Sequence, residues 1–150
     1  MNIGLVIELG LWFWEANMNN VLSELRKVKV FYIATVDGDK PKVRPFSSIT
    51  EFEGNIYICS GKQKEIYKQL KSNPYIEICG MYNGGSWLRV AAKAVEDERI
   101  DAQEAMLKDK SGPSQLYKAG DGRFIVFKLE DIKALKFNFY SAPEEIKEYE

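Results

Sequence analysis

Two stretches of this chain carry residues whose types and spacing suit chemistry. They are Lys42-Val43-Arg44-Pro45-Phe46-Ser47-Ser48 and Cys59-Ser60-Gly61-Lys62-Gln63-Lys64. The first reads as a strand. The second reads as a strand end running into a helix from about Lys64 to Ser72, stopped by Asn73-Pro74. In a shared sheet, Arg44, Ser60, Lys62 and Lys64 would lie close to one helix start. Cations, a hydroxyl and free backbone N–H groups at a helix N-terminus suit a phosphate. Lysine in a first helical turn opposes the helix dipole, a local cost that an anion would relieve. The plainer readings are a solvated Arg44 paired with Glu51 or Asp39, and a Lys62 in open solvent.

Composition narrows the chemistry. The 150 residues amount to about one domain. Twenty-one basic and 22 acidic side chains give a net charge of −1, without the broad basic field of a nucleic-acid binder. The chain contains no histidine, which removes the commonest metal ligand and the commonest neutral-pH base. Histidine zinc sites and histidine triads are excluded, and Ser47 and Ser48 have no histidine to activate them. Cys59 and Cys79 lie in apolar strand-like runs without CxxC spacing. Buried free thiols in a reducing cytoplasm are the simpler reading, and a disulfide between neighbouring strands is the other.

The elements that must position these residues follow in order. Residues 1–17, MNIGLVIELGLWFWEAN, form an apolar run broken by Glu8, too short to span a bilayer and a poor signal peptide. They read as an N-terminal arm packing on a partner subunit, as a tail, or as residues upstream of a start at Met18, and 18–150 reads as a single domain. Asn19 or Asn20 can cap a short helix to about Val28. Lys29–Val36 reads as a strand, Asp37-Gly38-Asp39-Lys40 as a hairpin turn, and Pro41–Phe52 as the returning strand. Pro45 cannot donate to a ladder, so an edge or a bulge is expected there. Further strands are expected over 56–60, 75–81, 87–95, 124–129 and 132–140, with a helix over 97–109. Ser111-Gly112-Pro113 ends that helix, and the acidic tail from Pro143 shows little packing signal. Six or seven short strands with few helices predict a mainly β protein, a β-barrel with peripheral helices.

Taken in order over about residues 19–140, these pieces resemble the pyridoxamine-5′-phosphate-oxidase-related family of FMN-binding split β-barrels. The resemblance rests on Phe31-Tyr32-Ile33-Ala34-Thr35, Val43-Arg44-Pro45-Phe46, Cys59-Ser60 with Lys64, and Tyr67-Lys68-Gln69-Leu70-Lys71-Ser72-Asn73-Pro74. It continues through Trp87-Leu88-Arg89-Val90, Ala92-Lys93-Ala94-Val95 and Phe124-Ile125-Val126-Phe127. It implies a six-stranded split barrel that forms a homodimer with FMN at the subunit interface. It further implies that Arg44 and Lys64 hold the phosphate and that Pro45, Phe46 and Ser47 run along the isoalloxazine. Ser60, Gly61 and Lys62 would lie at the phosphate and ribityl, and Trp87 and Arg89 would approach from a facing strand or the other subunit. Core or interface packing is the ordinary use of Trp87, and a family site at the interface makes the two uses compatible.

Within that family the chain most resembles the small NimA/NimC-like, nitroimidazole-resistance-related proteins. The nitroimidazole reductases among them frequently carry a histidine that this chain lacks. The extended C-terminal segment of true pyridoxamine-phosphate oxidases is not found, so vitamin B6 synthesis is not expected. The resemblance implies an FMN oxidoreductase passing electrons from a small-molecule donor to a small-molecule acceptor. The free thiols, the near-neutral charge and the short apolar run lead to the expectation of a cytoplasmic protein without nucleic acid or membrane. A flavin-binding or storage protein without turnover is the alternative. A third reading is haem or a deazaflavin in place of FMN, and the missing histidine counts against haem.

Overall fold

A computed structural model describes residues 18–150, and the arm or tail read over 1–17 lies outside the described residues. The elements are α1 (Asn20–Val28), β1 (Phe31–Asp37), β2 (Lys40–Phe46), β3 (Ile49–Phe52), β4 (Asn55–Gly61), α2 (Glu65–Ser72), β5 (Tyr75–Met81), β6 (Trp87–Asp97), α3 (Ile100–Lys108), β7 (Phe124–Phe137) and β8 (Glu144–Ile146). The protein is mainly β, with its helices at the periphery.

The strands form one antiparallel sheet in the order β2-β1-β5-β6-β7-β4-β3, with β8 added to β7. The two end strands, β2 and β3, are consecutive in the chain and joined only by Ser47-Ser48. Three Cα–Cα steps span at most about 11 Å. Phe46 and Ile49 therefore hold opposite ends of the sheet together, and the sheet has to curl. The result is a split barrel whose seam, without a ladder between β2 and β3, carries residues 44–48.

Pro45 sits on β2, an edge strand paired only with β1. The ladder runs unbroken from Phe31↔Phe46 to Asp37↔Lys40. Edge placement, not a bulge, absorbs the missing N–H, because one side of an edge strand has no ladder to lose. The expected strand over Pro41–Phe52 is thus two strands broken at the seam.

The bulge lies elsewhere. The two strands expected over 124–129 and 132–140 are one long β7, and Ala91↔Lys133 is followed by Lys93↔Glu130. That places one extra residue on β7, where Asp131 adopts φ +51°. A turn-like Glu130-Asp131 pair bends the strand and does not end it.

Asn19 caps α1, accepting from the N–H groups of Val21 and Leu22 at 3.0 and 3.3 Å. Val21, Leu22, Leu25 and Val28 of α1 join Phe31, Ile33, Ile58, Ile78, Leu88, Val90 and Phe127 in the main core. A smaller core under α3 holds Tyr57, Cys59, Ala102, Met106, Tyr117, Phe124 and Val126. The α3 helix starts at Ile100, later than expected, because Asp97 still belongs to β6. Its carboxylate accepts from the Tyr57 hydroxyl at 2.8 Å and from the Arg99 N–H at 3.1 Å.

The C-terminal tail packs more than its sequence suggests. β8 pairs with Ala134–Lys136 of β7, and the Asn20 N–H donates to the Glu148 carbonyl at 2.7 Å. Asn19 Nδ2 donates to the Glu148 carboxylate at 2.9 Å. An acidic residue at the N-terminus of α1 supplies acceptors to a helix end that needs them.

Cross-strand partners share a face. Pairing therefore places Pro45, Tyr32, Cys79, Arg89 and Leu135 in one outward row. The same face leaves Tyr32, Val43 and Met81 exposed at 51%, 66% and 58%.

Candidate functional site

A cleft of about 250 Å³ opens at the barrel seam. Arg44, Pro45, Phe46, Ser47 and Ser48 form one side of it, and Cys59 and Ser60 come from the end of β4. Lys64 and Ile66 come from the start of α2, and Pro113, Leu116 and Tyr117 close it from the loop after α3. The short β4–α2 connection thus brings a strand end, a helix start and an edge strand to one place.

Arg44 is half-buried and points inward across β1. Its Nη1 donates to the Ile33 carbonyl at 3.1 Å and to Thr35 Oγ1 at 2.7 Å, and its Nη2 donates to Gln69 Oε1 at 2.7 Å. Among the described residues no carboxylate pairs with it. Asp39 lies against Lys40 at 3.3 Å and Glu51 accepts from the Tyr149 hydroxyl at 3.1 Å, so neither sequence-suggested partner is used. Burial draws the Arg44 pKa below the ordinary arginine value, with no anion to counter it. A guanidinium offers five donors. Three are spent on neutral acceptors, which leaves Nε–H and one Nη2–H.

Lys64 is the N-cap residue of α2, its N–H donating to the Gly61 carbonyl at 3.0 Å, and no side chain caps that helix. The lysine is exposed and makes no ion pair among the described residues. Ser60 is 6% exposed and lines the cleft. Two cations, a hydroxyl and a helix start without a side-chain cap can therefore receive an anion.

The remaining candidates divide. Pro45, Phe46 and Ser47 line the cleft, with Phe46 stacked on Phe31 at 6.4 Å between centroids. Gly61 and Lys62 do not line it. A Cβ on Gly61 would come 2.5 Å from the Tyr117 hydroxyl, so the glycine lets that side chain close over the strand end. Lys62 is exposed, and its N–H donates to the Arg123 carbonyl at 2.8 Å. Trp87 and Arg89 also stand off the cleft of their own chain. Trp87 stacks on Phe137 at 5.5 Å, and Arg89 pairs with Glu77 at 3.1 Å on the outward face.

The loop after α3 is the wall that sequence reasoning missed. Ser48 Oγ donates to the Ser111 carbonyl at 2.6 Å, and the Ile49 N–H donates to Ser111 Oγ at 2.9 Å. Asp109 fixes the same loop, accepting from the Ser111 N–H and the Thr50 hydroxyl, each at 3.0 Å. Leu116 and Tyr117, apolar residues in a polar connection, were the available signal.

Cys59 and Cys79 are both free, and their strands are not neighbours in the sheet, so the disulfide reading falls. Cys59 is buried, but Cys79 is exposed on the outward face of β5, against the expectation of two buried thiols. Burial pushes the Cys59 thiol up to about 12, against smaller downward pulls from Ser48 and Lys64. The thiolate is the reactive form. Alkylation with iodoacetamide at pH 8 is expected to spare Cys59 in the folded protein and to label it once urea unfolds the chain. Labelling of Cys59 in the native protein, read by peptide mass spectrometry, would contradict this burial.

No helix among the described residues is long and apolar enough to cross a membrane. A family model described as pyridoxamine 5′-phosphate oxidase matches residues 18–136. A solved NimC/NimA family protein from Clostridium acetobutylicum is 34% identical at a TM-score of 0.79, covering 84% of this chain and 88% of that one. A pyridoxamine 5′-phosphate oxidase-related, FMN-binding protein from Nostoc punctiforme is 13% identical at a TM-score of 0.57, covering 84% and 92%. A haem-binding protein from Mycobacterium smegmatis is 16% identical at 0.61, covering 83% of this chain and 56% of that one. The last two likenesses establish the fold alone. No curated protein matches the chain. With four-fifths of its length matched by that model and 34% identity to a NimC/NimA relative over 84% of its length, the chain belongs to the pyridoxamine 5′-phosphate oxidase family.

Proposed function

We propose that residues 18–150 form an FMN-binding domain that works as an oxidoreductase, taking electrons from a reduced small-molecule donor and passing them to a small-molecule acceptor. The observation that carries this is the pair Arg44 and Lys64, two cations without a carboxylate partner among the described residues, lining one cleft. Arg44 and Lys64 would hold the phosphate, with Ser60 donating beside them. Pro45, Phe46 and Ser47 would run along the ring, where the free edge of β2 offers backbone hydrogen bonds. Bound FMN supplies the electron-transfer chemistry, and the protein supplies binding, orientation and electrostatics. The chain is then asked for no histidine.

A homodimer completes this reading. A pocket that encloses a small molecule runs to roughly 300–1,000 Å³, so a cleft of about 250 Å³ offers only part of an enclosure. The outward row of Pro45, Tyr32, Cys79 and Arg89, beside exposed Val43 and Met81, offers an apolar face for a second copy. Trp87 and Arg89 would reach the partner's flavin from that face. We place the protein in the cytoplasm, where a reducing environment keeps Cys59 and the exposed Cys79 as thiols.

The test is the absorbance spectrum of the purified protein, followed by mass spectrometry of the released ligand and sedimentation. Flavin bands, a mass equal to FMN and a dimer are expected. A Soret band would assign haem instead, and a monomer with full flavin occupancy would overturn the shared site. Oxidation of NADH or NADPH with an added acceptor separates turnover from storage.

A further inference from the structure

Arg44 is held by neutral groups alone, and two of them are buried side chains. Thr35 on β1 is 2% exposed and Gln69 on α2 is 5% exposed. The Thr35 hydroxyl donates to Gln69 Oε1 at 2.6 Å, and that same oxygen accepts from Arg44 Nη2 at 2.7 Å. Gln69 lies on the buried stripe of α2 with Ile66 and Leu70. A polar side chain on such a stripe is costly unless its hydrogen bonds are made.

We infer that Thr35 and Gln69 are positioning residues, which aim Arg44 at the cleft while leaving its whole positive charge for an anionic ligand. The inference rests on the phosphate reading above. A glutamate at position 69 would accept from the guanidinium more strongly, because charge-assisted bonds are the stronger kind. It would also spend that charge inside the protein. Glutamine fixes the geometry without cancelling the field. It does so from α2, the helix whose first residues bring Lys64 to the same cleft. One amide thereby ties the edge strand carrying one cation to the helix carrying the other.

The charge on the ligand gives the readout. FMN and riboflavin share a ring and a ribityl chain and differ in the phosphate. Apoprotein of the wild type, Gln69→Glu and Gln69→Leu is titrated with each ligand by flavin fluorescence at several salt concentrations. Both variants are expected to bind FMN at least about tenfold more weakly, the lower end for a hydrogen bond to a charged group. Riboflavin affinity should be unchanged, and the salt dependence of FMN binding should flatten. Gln69→Glu keeps the bond to Arg44 and the side-chain shape, so it decides the matter even if Gln69→Leu fails to fold. A purely structural role predicts no FMN loss in Gln69→Glu. Retained FMN-over-riboflavin preference in Gln69→Glu overturns the brace alone, as does equal loss of both ligands. A wild type that binds riboflavin as tightly as FMN overturns the phosphate reading itself.

Discussion

Replacing Arg44 with alanine is expected to weaken FMN binding by about 1.5–3 kcal/mol, the scale of hydrogen bonds to charged groups. That is roughly a ten- to 150-fold rise in Kd. The expectation rests on what the side chain already does without a ligand. Three of its donors go to the Ile33 carbonyl, Thr35 and Gln69, so little of its freedom is left to lose on binding. Its charge has no carboxylate partner among the described residues. An arginine paired on the surface would be worth far less, because solvent and salt screen such pairs. The substitution also removes three guanidinium bonds from the apoprotein, to the Ile33 carbonyl, Thr35 and Gln69, so some folding stability goes with it. Relief of the buried charge and the surviving Thr35–Gln69 bond offset part of that loss. Titration of the apoprotein with FMN checks the prediction, with riboflavin as the ligand that lacks the phosphate. An FMN Kd equal to that of the wild type would remove Arg44 from the site.

Much of this arrangement can be read from local sequence, and what cannot be read depends on contacts made far along the chain. The strands β1 and β5 and the helix α2 announce themselves through β-branched runs, turn residues and the Asn73-Pro74 stop, signals that need no tertiary partner. The seam at Ser47-Ser48 is different. Nothing in Pro41–Phe52 marks a break, and it becomes necessary only when β2 and β3 take opposite ends of the sheet. Asp131 tells the same story in reverse. Its neighbours look like a turn, yet pairing with β6 on one side and β8 on the other carries β7 through it.

The site divides along the same line. Arg44, Ser60 and Lys64 are legible because charge and a helix start are local facts. Gln69 was hidden as an ordinary polar residue beside Lys68, although its spacing from Ile66 placed it on the buried stripe. The loop wall of Pro113, Leu116 and Tyr117 was hidden for a plainer reason. A connection of that kind has no periodicity, and its place is fixed by Asp109 and Ser111 holding it to β3. Trp87 and Arg89 lie off the cleft of their own chain, and only in the dimer proposed above would they reach a flavin.

The largest effect on folding is expected from Phe127→Ala. Phe127 is 1% exposed and lies on β7, inside the sheet between β6 and β4, opposite Ile58. It belongs to the main core with Leu25, Ile33 and Ile78. Removing a buried aromatic ring costs about 3–5 kcal/mol, through lost transfer energy and the cavity left behind. A domain of ordinary stability has about 5–15 kcal/mol in all, so urea unfolding should shift far below the wild-type midpoint. Phe127 does not line the cleft. Its loss should therefore leave the FMN contribution to stability intact, about 2.7 kcal/mol at a free concentration one hundred times Kd. Arg44→Ala should show the opposite pattern, an apoprotein destabilised less than Phe127→Ala that gains much less from the same FMN concentration. Urea titrations of the three proteins, with and without FMN, read both effects. A Phe127→Ala protein that unfolds with the wild type would deny that β7 runs through the core. One that folds yet gains nothing from FMN would show that core and cleft are not separable, and the assignment of Arg44 to ligand and Phe127 to fold would have to be redrawn.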